Sequence, residues 1–273
     1  MSKRKVFLTG ATGLIGTACR THWGDRYDLR LLVHTPSKRP TDAEDVVLGG
    51  CEDLELMKIA TEGVDTVVHL GAIPGEDTFD NLLQANVVGT HNVIEASRAN
   101  GVKRVVFAST NHTTGAWEWN GVQANPDMPP RADSLYGASK VYGEVLGRFY
   151  VDKHGLEFIS LRIGGVNGDD RPRSIRDIWM WTSQRDMAEI CRLAVEVEGI
   201  KFAIVYAGSD NPNSCLEFSS AREILGFVPQ DHVSDYLPDL PPEIVAKHAA
   251  TVWRVESRGT GQTLKGNRLS RPD

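Results

Sequence analysis

The sequence is poor in cysteine and lacks long apolar runs. Its four cysteines, Cys19, Cys51, Cys191 and Cys215, are far apart, with no CxxC pair and no histidine at zinc spacing. They therefore predict neither a disulfide framework nor a metal site, and they fit a reducing compartment. No segment has the length and hydropathy of a membrane span, and the apolar stretch near the N-terminus is too short for a signal peptide. We therefore expect a cytoplasmic protein with no membrane partner.

The chain also lacks a strong excess of either positive or negative charge. The chain has 30 basic and 36 acidic residues, a formal net charge of −6, and no long basic tract. Because nucleic acids and anionic membranes attract extended positive surfaces, we expect neither as a partner. With 273 residues, of which 41% are hydrophobic, the chain can build one large domain or a main domain with a small lobe.

Apolar runs of strand length alternate with longer segments of helical periodicity. The predicted strands are 5–9, 29–33, 66–70, 104–109, 157–163 and 202–207, and the predicted helices lie near 13–22, 53–62, 78–100, 134–154 and 184–198. This alternation predicts an α/β fold with a doubly wound parallel sheet covered by helices on both faces. Glycine and proline gather at 111–131 and 164–174, after two of the strands. Open α/β sheets bind ligands at the carboxyl ends of their strands, so we expect the site there.

The chain divides into three parts on this pattern. Residues 1–165 form the predicted dinucleotide-binding core, and residues 166–240 form a small C-terminal substrate-binding lobe with the last strand and helix. Residues 241–273, with a basic end that contains glycine, are the predicted C-terminal tail.

The segment TGATGLIG places Gly10, Gly13 and Gly16 between the first predicted strand and the first predicted helix. Glycines here permit a tight turn and let backbone N–H groups approach a pyrophosphate at the helix N-terminus. The alternative is a glycine-rich turn without a ligand. The position directly after a strand and before a helix favours a dinucleotide site.

The segment LYGASKVYGE places Tyr136 and Lys140 four residues apart, on one face of a helix. A nearby ammonium stabilises a phenolate, so this pair can make a base from a group that is normally protonated. An ordinary amphipathic surface has the same spacing. Here, however, an earlier strand ends in FASTNH, which brings Thr110, Asn111 and His112 to the carboxyl edge of the sheet.

The motifs TGxxGxxG, VDTVVHLGA, QANVVGT, FAST and YGASK, in this order, resemble the extended short-chain dehydrogenase/reductase family over about residues 5–230. FASTNHTTG, LYGASKVYGE, LRIGG and the arginine-containing segment before WTSQRD resemble uronate dehydrogenases and the related sugar and sugar-phosphate 1-dehydrogenases. The resemblance implies oxidation of the anomeric C1 hydroxyl of a cyclic aldose to its lactone, with hydride transfer to NAD(P). A neutral aldose 1-dehydrogenase, a sugar epimerase or dehydratase, and a non-catalytic cofactor sensor are the alternatives.

The resemblance also implies catalytic and structural roles for the residues at the matching positions. The resemblance implies that Tyr136 takes the proton of the substrate hydroxyl and that Thr110 binds the reacting oxygen. Lys140 would bind the nicotinamide ribose and lower the pKa of the tyrosine. Asn86, in QANVVGT, matches an asparagine with a structural or proton-relaying role.

The implied substrate-binding residues are Asn111 and His112, which would face sugar hydroxyls, and Arg176. A planar guanidinium suits an anionic group at C6, such as a carboxylate, a phosphate or the sulfonate of sulfoquinovose. Arg171 and Arg173 match no family position, and we expect them to lie on a solvated loop or to pair with Asp169, Asp170 and Asp177.

The resemblance implies a long set of cofactor-binding residues. They are Gly10, Thr12, Gly13, Leu14, Ile15, Gly16, His34, Ser37, Lys38, Arg39, Leu70, Gly71, Ala72, Asn86, Tyr136, Lys140 and Ile163. Val33 stands where a carboxylate usually holds the adenosine ribose, and Gly50 stands at the family's adenine-side aspartate. Ser37, Lys38 and Arg39 could instead meet a 2′-phosphate, or form a solvated turn. We therefore favour NADP or dual use over strict NAD.

Two further expectations follow from the resemblance. Pro74 stands at a uronate dehydrogenase serine, which removes a hydroxyl contact and leaves the exact sugar open. The helices predicted near 78–100 and 134–154 match the family's usual dimer faces, so we expect a homodimer or a higher homo-oligomer.

Overall fold

The strands of the computed structural model, which describes residues 3–41, 43 and 45–255, form one large parallel sheet. Numbered in chain order, the strands are β1 (Lys5–Thr9), β2 (Asp28–Val33), β3 (Asp45–Leu48), β4 (Thr66–His69), β5 (Arg104–Thr110), β6 (Val122–Gln123), β7 (Glu157–Ile163), β8 (Phe202–Ala207) and β9 (Arg254–Val255). In this part of the chain, seven strands pair in the order β3-β2-β1-β4-β5-β7-β8, and β6 pairs with β9 separately. The predicted doubly wound parallel sheet is confirmed.

The described helices include those that cover both faces of this sheet and others that pack outside its two main cores. They are α1 (Leu14–Trp23), α2 (Leu54–Ala60), α3 (Phe79–Leu82), α4 (Gly89–Ala99), α5 (Gly115–Glu118), α6 (Leu135–His154), α7 (Ile175–Met180), α8 (Gln184–Glu196), α9 (Ser219–Leu225) and α10 (Pro242–Ala250). A π-helical segment, Leu83–Val88, joins α3 to α4. Single 3₁₀ turns are formed by Pro36–Lys38, Asn111–Thr113, Val233–Asp235 and Leu237–Asp239.

Successive strand residues enter two separate apolar cores. Val6 and Leu8 of β1 pack in a cluster with α1 and α8, whereas Phe7 packs in the cluster on the opposite face with α2 and α4. Side chains of a strand alternate between the faces of a sheet, so covering both faces requires a continuous apolar run. KVFLT meets this requirement, and the strands predicted at 5–9, 157–163 and 202–207 have the observed bounds.

A buried ion pair fixes α6 to the sheet. The Glu144 carboxylate of α6 accepts from Arg162 Nε at 2.9 Å and from Arg162 Nη2 at 2.8 Å. It also accepts from the hydroxyls of Ser109 at 2.7 Å and Ser160 at 3.2 Å. These contacts join α6 to β5 and β7. The helix that carries Tyr136 and Lys140 is thereby set in a defined position over the strand ends.

Part of the predicted tail is ordered. Residues 242–255 contain α10 and β9, while residues 256–273 lie outside the described residues. The three-part division of the chain stays a prediction. Among the described helices, none has both the length and the apolar character needed to cross a bilayer.

Candidate active site

A cavity of about 900 Å³ opens at the carboxyl ends of the central strands. Its lining includes most of the residues predicted to bind cofactor or substrate, namely Gly10, Thr12, Gly13, Leu14, Ile15, Gly16, His34, Leu70, Gly71, Ala72, Thr110, Asn111, His112, Tyr136, Lys140, Ile163 and Arg176. Parallel strands end at the same edge of the sheet, so their following loops meet there.

Four predicted residues are absent from the described lining of this cavity. Ser37, Lys38 and Arg39 are exposed, on and directly after the 3₁₀ turn that follows β2. Asn86 lies in the π-helical segment, where its Oδ1 accepts from the N–H of Ile73 at 2.8 Å. Its Nδ2 donates to the Ile73 carbonyl at 3.2 Å. Asn86 therefore fixes a loop of the cavity wall.

The glycine motif forms a cradle for an anion. A Cβ on Gly16 would lie 2.3 Å from the carbonyl oxygen of Gly10, and Gly10 itself has a positive φ of 64°. Only glycine allows this close approach between the turn and the start of α1. Gly13 is the N-cap of α1 and offers no side-chain cap, so the helix N-terminus points backbone N–H groups at the cavity. The cradle fits the pyrophosphate of a dinucleotide.

Tyr136 and Lys140 lie together at the base of the cavity, in the first turns of α6. Burial raises the pKa of the Tyr136 hydroxyl, and a hydrogen bond with the Thr110 side chain opposes this rise. Lys140 Nζ lies 5.9 Å from the centre of the Tyr136 ring and 4.9 Å from that of Phe107. Burial lowers the pKa of Lys140 to about 8. An ammonium in this position favours the phenolate form of the tyrosine.

Helix α6 is also capped from the loop after β4. The Glu76 carboxylate accepts from the backbone N–H groups of Leu135 at 3.2 Å and Tyr136 at 3.0 Å. A carboxylate at a helix N-terminus satisfies free N–H groups and complements the helix dipole. Glu76 thus connects the loop at one side of the cavity with the backbone of the tyrosine.

A neutral histidine lies beneath the loop 70–72. Thr9 Oγ1 accepts from the Gly71 N–H at 2.9 Å and shares a hydrogen bond with His69 Nδ1 at 2.8 Å. His69 Nε2 shares another with Thr90 Oγ1 at 3.2 Å. Burial, together with the charge of Lys140, lowers the pKa of His69 to about 3. These contacts hold the ends of β1 and β4 together under the cavity.

Arg176 also lines the cavity, from the first turn of α7. In the amide orientation that satisfies both neighbours, Asn111 Oδ1 accepts from Arg176 Nη2 at 3.0 Å, and its nitrogen donates to the Ile163 carbonyl at 3.2 Å. His112 Nδ1 lies 2.9 Å from Asp133 Oδ1. Because a carboxylate can only accept, the proton of this contact is on Nδ1.

The other two arginines of this segment pair with acids, Arg173 with one that the sequence predicted and Arg171 with a distant acid that it did not. Arg171 Nη2 lies 2.8 Å from Asp239, and Arg173 Nη1 lies 2.8 Å from Asp169. Neither arginine belongs to the described lining of the cavity.

Sequence reasoning missed several residues of the wall. They are Leu32, Gly49, Cys51, Glu52, Ile73, Ala85, Ala108, Ser109, Gly164, Gly165 and Val166, whereas Gly50 and Pro74 were noted only for the family side chains that they lack. Glu52 matters most, because it brings a carboxylate to the cavity wall beside Gly50, where none was expected. Its oxygens lie 2.2 Å from the position that a Cβ on Gly50 would occupy. Its place two residues after Gly50 was the available signal.

The chain belongs to the NAD dependent epimerase/dehydratase family, whose model matches residues 6–201. It is 35% identical to an NAD-dependent glucose-6-phosphate dehydrogenase of Haloferax volcanii, over 85% of this chain and 95% of that one. An L-arabinose 1-dehydrogenase (NAD(P)+) of the same organism is 33% identical, over 84% of this chain and 97% of the other.

A solved structure has the same overall fold. A tyrosine variant of uronate dehydrogenase from Agrobacterium tumefaciens, in complex with NAD, superposes with a TM-score of 0.80. It is 31% identical, and the match covers 87% of this chain and 89% of that one. These relatives confirm the predicted family and enzyme class, an NAD(P)-dependent sugar 1-dehydrogenase.

Proposed function

We propose that this chain oxidises the C1 hydroxyl of a cyclic aldose that carries an anionic C6 group, a uronate, a 6-phosphate or a 6-sulfonate such as that of sulfoquinovose. The product is the lactone. The observation that carries this proposal is Arg176, which lines the substrate end of the cavity and is 47% exposed. Its planar fork can bind a carboxylate, a phosphate or a sulfonate through two hydrogen bonds. The uronate and glucose-6-phosphate dehydrogenases among its relatives have anionic sugars in their names.

The residues of the cavity fit a nicotinamide dinucleotide. The N-terminus of α1 would hold the pyrophosphate, Lys140 would bind the nicotinamide ribose, and loop 70–72 with Ile163 would form the wall beside it. When bound, the nicotinamide supplies the acceptor for the hydride that leaves C1.

The proton of the substrate hydroxyl goes to Tyr136. Thr110 holds the reacting oxygen through its hydroxyl, and His112 contacts a second sugar hydroxyl through Nε2, which orients the ring. Lys140 has a pKa of about 8, so it is largely charged at neutral pH and stabilises the phenolate that acts as the base. Tyr136 and Thr110 are almost fully buried, which keeps competing water away from this proton transfer.

We further propose that the chain uses NADP or both cofactors. β2 ends at Val33 without a carboxylate, and the exposed turn that follows carries Lys38 and Arg39. A Lys38→Ala, Arg39→Ala variant should raise the KM for NADP about tenfold and leave the KM for NAD unchanged. Equal responses of the two cofactors, or a strong preference of the wild type for NAD, would contradict this part of the proposal.

A neutral aldose is the second candidate substrate. Glu118 Oε1 lies 3.8 Å from Arg176 Nε, so part of the arginine's charge is already compensated. A guanidinium with a counter-ion can still donate hydrogen bonds to hydroxyl groups. The L-arabinose 1-dehydrogenase among the relatives has a neutral sugar in its name.

A substrate panel tests these two candidates. Wild type and Arg176→Ala are assayed at 340 nm with a hexuronate, a hexose 6-phosphate, a 6-sulfosugar, glucose, galactose and arabinose, each with NAD and NADP. Arg176→Ala should lose about 100-fold in kcat/KM for the preferred anionic sugar and little for neutral sugars. Arg176→Lys should recover only part of this loss, because an ammonium lacks the planar fork. A wild type that prefers neutral sugars, unaffected by Arg176→Ala, would make the anionic-substrate proposal wrong.

We also propose a cytoplasmic homo-oligomer that pairs through α4 and α6. Val145 and Phe149 lie four residues apart on α6 and are 64% and 51% exposed. Large apolar side chains on one helix face favour burial against a second copy. The four cysteines are unpaired and buried, which suits a reducing compartment. Light scattering that detects only monomer would contradict the oligomer.

A further inference from the structure

A counter-ion already lies against Arg176. Glu118 is the last residue of α5, and its Oε1 is 3.8 Å from Arg176 Nε. The Glu118 side chain is only 10% exposed, whereas that of Arg176 is 47% exposed and reaches the cavity. The other end of the guanidinium donates to Asn111. The arginine is thus held between two groups of the protein, with its remaining N–H groups available to a sugar.

The charge of Glu118 depends on this arginine. Among the described residues, no group donates a hydrogen bond to the Glu118 carboxylate. Burial raises the pKa of the Glu118 carboxyl, the charge of Arg176 opposes that rise, and Asp133 adds to it. His112 also lies close, but its Nδ1 is committed to Asp133 at 2.9 Å. Arg176 is therefore the main compensating cation of a buried carboxylate.

We propose that Glu118 sets the charge selectivity of the sugar subsite, because it competes with the substrate's anionic group for Arg176. This inference rests on the proposed function of Arg176 in sugar binding. An incoming carboxylate or phosphate must share the guanidinium with Glu118 and leaves the Glu118 charge less compensated. A neutral hydroxyl uses the free N–H groups without disturbing the pair. Glu118 thus weakens the binding of anionic sugars and admits neutral ones.

The test is Glu118→Gln, which keeps the shape of the side chain and removes its charge. Steady-state KM and kcat are measured with a hexuronate, a hexose 6-phosphate, glucose and arabinose at saturating cofactor. We expect the KM for the anionic sugars to fall about tenfold with little change in kcat, and the KM for neutral sugars to stay or rise. A merely structural residue would not shift the two sugar classes in different directions.

The matched control is Asp239→Asn, which releases Arg171 from an ion pair of 2.8 Å that lies outside the described cavity lining. Both sugar classes should be unaffected. Glu118→Asp keeps the charge, but its side chain is shorter by one methylene group, so the carboxylate lies farther from Arg176. It should shift the anionic KM in the same direction by a smaller factor, and it serves as the test if the Gln variant fails to fold.

The outcomes separate this inference from the proposed function. If Arg176→Ala abolishes the use of anionic sugars while Glu118→Gln leaves the ratio of anionic to neutral KM unchanged, the role of Glu118 is wrong and the proposed function stands. If wild type prefers neutral sugars and Glu118→Gln gains anionic substrates, the role of Glu118 is supported and the proposed substrate class is wrong. If neither variant alters either sugar class, both are wrong.

Discussion

Replacing Glu144 with Gln should destabilise the protein strongly, because it leaves a buried guanidinium without its counter-ion. The side chains of Arg162 and Glu144 are 1% and 3% exposed, and two nitrogens of the arginine donate to the carboxylate. The new amide would turn an NH₂ group toward these donors. Removing one partner of a buried ion pair costs about 3–5 kcal/mol. At about 3 °C per kcal/mol, Tm should fall by roughly 10–15 °C.

Thermal unfolding followed by circular dichroism measures this loss, and kcat at 25 °C reports its effect on the site. We expect kcat to fall as well, because Tyr136 and Lys140 share α6 with Glu144. The matched control is Asp152→Asn on the same helix. Its ion pair with Arg148 has a distance of 2.8 Å, but both side chains are 56% exposed, so water screens the interaction and Tm should barely change.

A double variant separates lost charge compensation from lost packing. Glu144→Met combined with Arg162→Met leaves no uncompensated charge, so it should be more stable than Glu144→Gln alone. A Glu144→Gln protein whose Tm lies within about 2 °C of wild type would refute the reasoning. A double variant no more stable than the single one would show that the contacts of the pair matter more than its charge balance.

Other parts of the site make separate predictions. Tyr136→Phe should abolish turnover and leave cofactor binding intact, because the ring remains and only the proton acceptor is lost; cofactor fluorescence titration checks this, and retained turnover would contradict it. Gly16→Ala should weaken cofactor binding at least tenfold, because its Cβ would lie 2.3 Å from the Gly10 carbonyl oxygen. Glu76→Ala should cost about 1 kcal/mol in urea unfolding, because two N–H groups of α6 lose their acceptor. The pKa of His69 is lowered to about 3, so the unfolded chain binds a proton that the folded chain does not, and stability falls as pH drops from about 6.5 toward 3. At pH 5 the free energy of unfolding is lowered by about 2 kcal/mol for this reason, and His69→Gln should remove that loss. An unchanged dependence of stability on pH in the variant would contradict the role given to His69.

Local pattern alone was enough for the central sheet and the catalytic helix. KVFLT and EFISLRI are continuous apolar runs of strand length, and a strand covered on both faces needs such a run. Ser134 is the N-cap of α6, and its side chain accepts from the Gly137 N–H, so the start of the catalytic helix depends on adjacent residues. β3 was missed because DVVL is short and surrounded by polar residues, and its pairing with β2 supplies the stability that its own pattern lacks.

The candidate site divides in the same way. Gly10, Gly13, Tyr136 and Lys140 could be identified from the sequence, because a turn and a helix place residues at these spacings by local geometry.

The contact of Glu118 with Arg176 and the position of Glu52 over Gly50 emerged only from the tertiary structure. Glu118 and Arg176 come from helices separated by two strands and the long catalytic helix. Their approach depends on the paths of the loops between these elements. No periodicity of the chain encodes those paths, because a loop is positioned by the elements that it contacts and not by a repeating spacing of its own residues.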